Sequence, residues 1–410
     1  MEYGLIGLSL KHSFSKEIHE KIGHYPYELK ELNEKEFIVF MKKKEFKGIN
    51  VTIPYKEKVI DYLDYISPEA KEIQAVNTII NHNGKLYGYN TDYLGLKEML
   101  SYFQIPIMEQ NVMILGSGGT SKTALKVCKD LKAKTITIVS RNQKENSITY
   151  NDLNLFYDSA HIIINTTPCE MYPNNQQKIL SLQPFKVLKG VVDVIYNPLR
   201  TNLILESKKK NLLCCNGLYM LIAQAFYASQ LFLNKTLDKF ILNQFYTSLT
   251  QYKENIVLTG MPSSGKTTIG KLLSKIYQRD FYDVDDEIEK KVKMDIPTFF
   301  EKFGEERFRE IESEIIDELS KKNHIVIATG GGSILKESNI SYLKQNGRIY
   351  FLDCSLKRLT ATSSRPLSST PEKLKKLFEE RYLIYKKTCD VRIDANQSIE
   401  DIILQIKGSD

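Results

Sequence analysis

Apolar residues recur along the chain as short continuous runs, each followed by spacing of three and four. Val112–Leu115 is such a run. It opens into the glycine turn Gly116–Gly119, after which Ser121–Leu131 has helical periodicity. Ile256–Thr259 repeats the pattern, running into Gly260–Thr267 and then a helix with Ile269, Leu272, Leu273 and Ile276 on one face. Each is a strand–loop–helix that opens an α/β unit. Ahead of the first loop, strands are expected at Tyr3–Ile6, Tyr27–Glu31, Gly48–Ile53, Thr78–Ile80 and Leu86–Tyr89, with helices between. Between the loops, strands at Thr135–Val139, Ile162–Asn165 and Gly190–Val194 alternate with helices, and Leu218–Tyr252 is a helical stretch. No fixed-period repeat relates the halves. The pattern predicts a fusion of unlike α/β modules: residues 1–92, completed by helices at about 218–250; residues 93–217 around the first loop; a hydrophilic joint at 251–255; and residues 256–410 around the second.

Composition changes this picture little. The 410 residues imply two or three domains, and 42% hydrophobic with 26% charged residues is ordinary for a globular chain. The most apolar stretch, Leu218–Leu233, is interrupted by Gln224, Ser229 and Gln230, so no spanning helix is expected, nor any membrane partner. Met1-Glu2-Tyr3 does not begin a secretory leader. Six cysteines without C-x-x-C spacing read as reduced thiols of a cytoplasmic protein, and six histidines without paired spacing indicate no transition-metal site. The net charge of +7 comes from short scattered lysine clusters, which read as a solvated surface with no nucleic-acid tract.

The first glycine loop fits G-x-G-x-x-[GAS] between strand and helix: Gly116, Ser117, Gly118, Gly119, Thr120 and Ser121. Such glycines let the backbone approach a pyrophosphate seated on the helix N-terminus. The next strand ends in Ser140-Arg141, with Lys144 close by, and Ser140 lies 22 positions after Gly118. A carboxylate there would hold a ribose 2′-hydroxyl, whereas arginine pairs with a 2′-phosphate, so NADP is favoured over NAD. Arg141 as a plain solvated loop residue is the competing reading.

Polar clusters in the first 92 residues fit poorly as core. His12–Ser15 offers the hydroxyls of Ser13 and Ser15 on one side of an extended loop. Asn50, Thr52 and Lys56 gather at a strand end, and Asn77-Thr78 and Asn90-Thr91-Asp92 add amides and a carboxylate. Singly, each is more often a turn or helix cap. Together they read as a pocket for a polyhydroxy acid. With these motifs in register, and with Asn165-Thr166-Thr167-Pro168, Asp193–Pro198 and Gly217–Met220 further on, residues 1 to about 250 resemble shikimate dehydrogenase. The resemblance implies an α/β substrate-binding domain plus a Rossmann NADP domain, and reduction of 3-dehydroshikimate to shikimate by NADPH. It makes Lys56 and Asp92 the catalytic pair, gives Ser13, Ser15, Asn50, Thr52, Asn77, Tyr196 and Gln224 to the substrate, and places Gly217 near the nicotinamide. Three positions depart from the family pattern: Ser9 and Lys16 stand where proline is usual, and Glu170 where glycine is. An extra carboxylate beside a dinucleotide is unfavourable unless it points away.

The second loop satisfies G-x-x-x-x-G-K-[ST] in full, from Gly260 to Thr267. Its backbone amides cradle phosphates, Lys266 reaches the outer ones, and the Thr267 hydroxyl is placed to ligate Mg²⁺. Asp283 and Asp285 are expected on one side of the next strand, two residues apart. Arg309 and Glu312 share a helical face, where a surface ion pair is the bland alternative. Ile325–Thr329 opens into Gly330–Gly332, Arg365 sits in a polar loop, and Arg381 lies on a late helix. This set resembles shikimate kinase over residues 255 to about 405, a P-loop domain with a parallel sheet. The resemblance implies ATP-dependent phosphorylation of shikimate at its 3-hydroxyl. Asp283 and Thr267 would attend Mg²⁺; Gly260, Ser263, Ser264, Gly265, Lys266, Thr267 and Thr268 would hold ATP. Asp285, Arg309, Gly331, Gly332 and Arg381 would hold shikimate, with Asp285 orienting the attacking hydroxyl. Lys266 and Arg365 would stabilise the transferring phosphoryl group, and Arg358 would lie against adenine.

Three rivals stay open on sequence grounds. They are an NAD-linked quinate/shikimate dehydrogenase, a nucleoside-monophosphate or gluconate kinase on the same P-loop, and a module that binds its ligand without catalysis.

Overall fold

The computed structural model describes residues 1–10, 14–143, 146–361 and 366–409. The chain forms two compact units. The first comprises Met1–Asn197 and Glu206–Ser248; the second comprises Pro198–Leu205 and Leu249–Asp410.

Two six-stranded sheets make up the first unit. One is mixed, with Glu28–Glu31 at an edge, then Tyr3–Gly7, Gly48–Val51, Thr78–His82, Lys85–Tyr89 and Tyr65–Ile66. Its first three strands are parallel, and Thr78–His82 runs antiparallel to both neighbours. The other is wholly parallel, in the order Leu213–Cys215, Gly190–Asp193, Ile162–Asn165, Asn111–Leu115, Thr135–Ser140, Ser147–Thr149. The strand order reverses on either side of Asn111–Leu115, so the loop after that strand lies at the topological switch point, where open α/β sheets bind ligands. Buried on both faces, Ile162–Ile164 and Val191–Val192 read as unbroken apolar runs, as parallel strands should.

The second unit is a five-stranded parallel sheet, Asp280–Asp283, Ile325–Ala328, Asn255–Thr259, Gly347–Asp353, Val391–Asp394. The strand feeding the second glycine loop is central. Residues 251–255 are firmly held within this architecture. The Arg279 guanidinium donates to Gln251 O at 2.8 Å, and Asn255 donates to Lys322 O at 2.8 Å and accepts from Ile325 N at 3.0 Å. Arg200 binds Glu254 at 2.7 Å and Gly347 O at 2.8 Å.

Most expected elements form. The helical stretch 218–252 is two helices, Leu218–Leu233 and Lys239–Lys253, because Asn234 takes the left-handed conformation and caps the first. Two local expectations are corrected. Ser15 lies at the start of helix Ser15–Gly23, not on an extended loop. Asp285 is not on a strand. The strand ends at Asp283, whose side chain accepts from Asp285 N and so starts helix Val284–Val292.

In the first unit the imidazole of His19 is fully buried, and burial pushes its pKa down to about 3. Unfolded, it titrates near 6.5, so below that pH the unfolded chain binds a proton that the native state refuses. Stability should then fall by about 1.4 kcal/mol per pH unit on going from 6.5 toward 3. Pulse proteolysis in urea at pH 7, 6 and 5 checks this. His19→Phe, which keeps an aromatic ring on Tyr27, should flatten the slope; an unchanged slope would assign the acid lability elsewhere.

Candidate active sites

Helix starts and strand ends bring the first set together. Lys56 stands on the short helix Tyr55–Lys58 that follows strand Gly48–Val51, and Asp92 in the first turn of helix Thr91–Tyr102. Their Nζ–Oδ2 distance is 2.6 Å, with both side chains partly exposed. The flanking polar residues are scaffolding. Asn90 caps the helix through Tyr93 N and ties it to Ala75 O, while Asn77 Oδ1 accepts from Thr91 N at 2.7 Å and from the Thr78 hydroxyl at 3.0 Å. With its oxygen engaged, Asn77 can direct only its NH₂ outward.

A cavity of about 410 Å³ gathers Ser15, Asn50, Thr52, Lys56, Asn77, Asp92, Thr120, Tyr196, Gly217 and Gln224. The motif residues thus converge from seven separate stretches of chain. Ser9, Phe14 and Met220 also line it. Phe14 and Met220 lie within the motifs His12–Ser15 and Gly217–Met220, yet no role attached to either on sequence grounds. Tyr196 is packed edge-on to Phe14 at 6.2 Å, and burial raises its phenol, which remains a hydrogen-bond donor at neutral pH. Gln224 donates to Leu221 O at 2.9 Å. A Cβ on Gly217 would lie 1.9 Å from Val194 O, so only glycine permits that approach.

Of the first glycine loop only Thr120 lines this cavity; its glycines lie outside it, at the N-terminus of helix Gly119–Asp130. Gly116 has φ +109, and a side chain there would strike Thr166. Beta carbons on Gly118 and Gly119 would meet nothing within 4 Å, and no side chain among the described residues caps the helix. Room for a ligand beside helix amides that lack a side-chain cap fits a pyrophosphate. Ser140 is buried, with its hydroxyl engaged by Asn142 O and by Ser147 at 3.2 Å, whereas Arg141 is exposed. Glu170 is fully buried at φ +74, and its Oε1 accepts from Ile179 N at 3.0 Å. It holds the left-handed backbone that glycine would supply and turns its carboxylate into its own loop. Ser13 and Lys144 lie outside the described residues.

In the second unit a cavity of about 640 Å³ is lined by Ser263, Ser264, Gly265, Lys266, Thr267, Thr268, Asp283, Asp285, Arg309, Gly331, Gly332 and Arg381. Lys266 Nζ donates to Gly260 O at 2.9 Å and Met261 O at 3.0 Å, and the buried Ser264 hydroxyl has no hydrogen-bond partner among the described residues. Thr267 Oγ1 donates to Asp283 Oδ2 at 2.7 Å. A hydroxyl–carboxylate pair beside a phosphate loop fits Mg²⁺, which takes few protein ligands and completes its shell from phosphate and water.

Arg309 pairs with the fully buried Glu312 at 2.8 Å, which also accepts from Ser333 at 2.6 Å. This is an interior pair, not a surface one, and the guanidinium packs directly on Gly332, where a Cβ would lie 2.3 Å from it and displace it. Arg381 is buried on helix Pro371–Thr388. It donates to Gly331 O at 2.9 Å and leaves its Nε without a partner among the described residues. Burial, with Arg309 nearby, lowers its pKa. Two convergent cations, one with an orphaned donor, fit a ligand carboxylate. Arg358 donates to Asn396 O on the exposed side and does not line the cavity. Arg365 lies outside the described residues.

A dinucleotide-loop oxidoreductase and a P-loop phosphotransferase therefore share one chain. Comparison with known proteins is specific. Residues 5–79 match the family model of the shikimate dehydrogenase substrate binding domain, and residues 262–408 match that of shikimate kinase. The NADP(+) shikimate dehydrogenase of Clostridium perfringens strain 13 is 40% identical over 264 residues, covering 60% of this chain and 97% of that protein. Among solved structures, a chorismate mutase/shikimate 5-dehydrogenase fusion from Clostridium acetobutylicum aligns at 34% identity and TM-score 0.57, over 60% of this chain and 96% of its own. The Thermus thermophilus shikimate 5-dehydrogenase, solved in complex with NADP(H) and shikimate, aligns at 25% identity and TM-score 0.55, over 60% and 99%. The chain belongs to the shikimate dehydrogenase family and carries a shikimate kinase domain after it.

Proposed function

We propose that this chain catalyses two consecutive steps: reduction of 3-dehydroshikimate to shikimate with NADPH, then phosphorylation of shikimate to shikimate 3-phosphate with ATP and Mg²⁺. One observation carries the reading. In each unit one cavity gathers motif residues from several separate stretches of chain together with an ion pair, Lys56–Asp92 in one and Arg309–Glu312 in the other.

Residues 1–92 with about 218–250 bind the substrate, 93–217 bind the cofactor and 256–410 form the kinase. Hydride addition to a ketone leaves an alkoxide, and the Lys56 ammonium, oriented by Asp92, supplies its proton. Ser13, Ser15, Asn50, Thr52, Asn77, Tyr196 and Gln224 hold the ring, and Gly217 lets the nicotinamide approach. Arg141 and Lys144 take the 2′-phosphate, over Gly116–Thr120. In the kinase, Thr267 and Asp283 hold Mg²⁺, which screens phosphate charge when bound. Arg309 and Arg381 clamp the shikimate carboxylate beside Gly331 and Gly332, and Asp285 orients the attacking hydroxyl. Gly260–Thr268 cradle ATP, with Arg358 beside the adenine and Lys266 and Arg365 on the transferring phosphoryl group. The six unpaired cysteines agree with a cytoplasmic setting.

Supplying 3-dehydroshikimate, NADPH, ATP and Mg²⁺ should yield shikimate 3-phosphate. Accumulation of shikimate without its phosphate would refute the kinase half, and no NADPH oxidation would refute the reductase half. Arg141→Ser should raise the KM for NADP by about ten- to a hundredfold and leave that for NAD unchanged, as loss of a charge-assisted contact requires. Equal effects on both cofactors would return Arg141 to the solvated loop.

A further inference from the structure

Behind the first cavity lies a buried polar chain that the proposed chemistry does not use. His19 stacks on Tyr27 with ring centroids 4.1 Å apart and planes 4° from parallel. The direction of its hydrogen bonds follows by elimination. Ser229 Oγ donates to Ala225 O at 2.8 Å, since a carbonyl only accepts. That hydroxyl has one proton, so the 2.8 Å contact between Tyr25 and Ser229 is donated by Tyr25. The 2.6 Å contact between Tyr25 and His19 is then donated by Nδ1–H. A neutral imidazole carries one proton, so Nε2 is a bare lone pair; it meets no partner at hydrogen-bond geometry among the described residues, while the ring lies near enough to the Asn50 side chain to interact with it. The ring is pinned by Tyr25 at one edge and stacked flat against Tyr27.

Tyr27, itself buried, donates its hydroxyl to Asn50 Oδ1 at 2.7 Å. Asn50 Nδ2 donates to Thr78 Oγ1 at 2.9 Å and to Asn77 O at 3.2 Å. The amide is therefore held at both ends, and Asn50 lines the first cavity with an Oδ1 that has accepted one hydrogen bond and has capacity for a second. A flipped amide would present NH₂ there and would also set a nitrogen against Tyr27. Sequence offered no sign of this, because Tyr27 and His19 carry no motif chemistry and read as core.

We propose that Tyr27, braced by the stacked His19, is a positioning residue for the reductase: it locks the Asn50 amide so that Oδ1 accepts from a hydroxyl of the ring substrate. The inference rests on the reading of the first cavity as a shikimate site. Tyr27 acts on Asn50 and not on the Lys56–Asp92 pair, so its effect belongs in substrate binding and not in proton transfer.

The test is steady-state shikimate oxidation by the full chain. Tyr27→Phe should raise the KM for shikimate about three- to tenfold, the weight of one neutral hydrogen bond, with kcat and the KM for NADP within about twofold of wild type. Asn50→Ala should raise the same KM, and Tyr27→Phe added to Asn50→Ala should raise it no further, because Tyr27 acts through Asn50. Should Tyr27→Phe not fold, His19→Asn, which keeps a donor toward Tyr25 but removes the stacked ring, serves in the same cycle. A fall in kcat at unchanged KM, or KM effects that multiply in the double variant, overturns the proposal. An Asn50→Ala enzyme with wild-type KM removes the role of Asn50 and the proposal with it. A wild-type chain without shikimate-dependent NADP reduction overturns the underlying reading instead, and is seen before any variant is made.

Discussion

Lys56→Ala should lower the dehydrogenase kcat about 10²–10⁴-fold, the span a positioned general acid contributes, with the KM for shikimate changed far less. Lys56 is the one cation lining the first cavity among the described residues, and it meets Asp92 at 2.6 Å. Alanine leaves the developing alkoxide without a proton donor, and leaves the partly exposed Asp92 carboxylate repelling it. Asp92→Asn should fall in the same direction by less, because the ammonium remains but loses the partner that orients it. Shikimate phosphorylation by the same preparations should be unchanged. A Lys56→Ala enzyme that keeps most of its kcat would reduce the pair to a structural salt bridge.

How much of this was legible in the sequence depended on what kind of signal each residue carried. The glycine loops were readable because a backbone approach to phosphate needs glycine at fixed spacing, and the parallel strands because burial on both faces demands unbroken apolar runs, as in Ile162–Ile164. Local spacing misled at Asp283–Asp285. Alternation along a strand put both carboxylates on one side, but Asp283 is also a good helix cap, and capping won. Gln224 and Asn50 were named from motif, while the groups that orient Asn50 were invisible, since a buried Tyr or His leaves no periodic trace. The Arg309–Glu312 pair was an i, i+3 pattern equally at home on a surface, and only the complete burial of Glu312 distinguished the two readings.

In the kinase, Lys266→Ala should lower kcat about 10²–10³-fold, the loss expected when one preorganised charge on a developing anion is removed. The lysine begins helix Lys266–Tyr277 and is almost fully buried, with Nζ resting on Gly260 O and Met261 O. Those carbonyls hold the ammonium inside the loop, beside the buried Ser264 hydroxyl, which has no hydrogen-bond partner among the described residues. The order of parts matters for the readout. Arg309 and Arg381 lie across the cavity against Gly332 and Gly331, so the acceptor's clamp survives the substitution and the KM for shikimate should shift little. Arg381→Ala should do the reverse, raising that KM with a smaller fall in kcat, and shikimate-dependent ADP release measures both. Dehydrogenase turnover in Lys266→Ala should equal wild type. If Lys266→Ala and Arg381→Ala gave the same kinetic signature, phosphate and carboxylate would not be held by separate cations, and the division of labour across this cavity would fail.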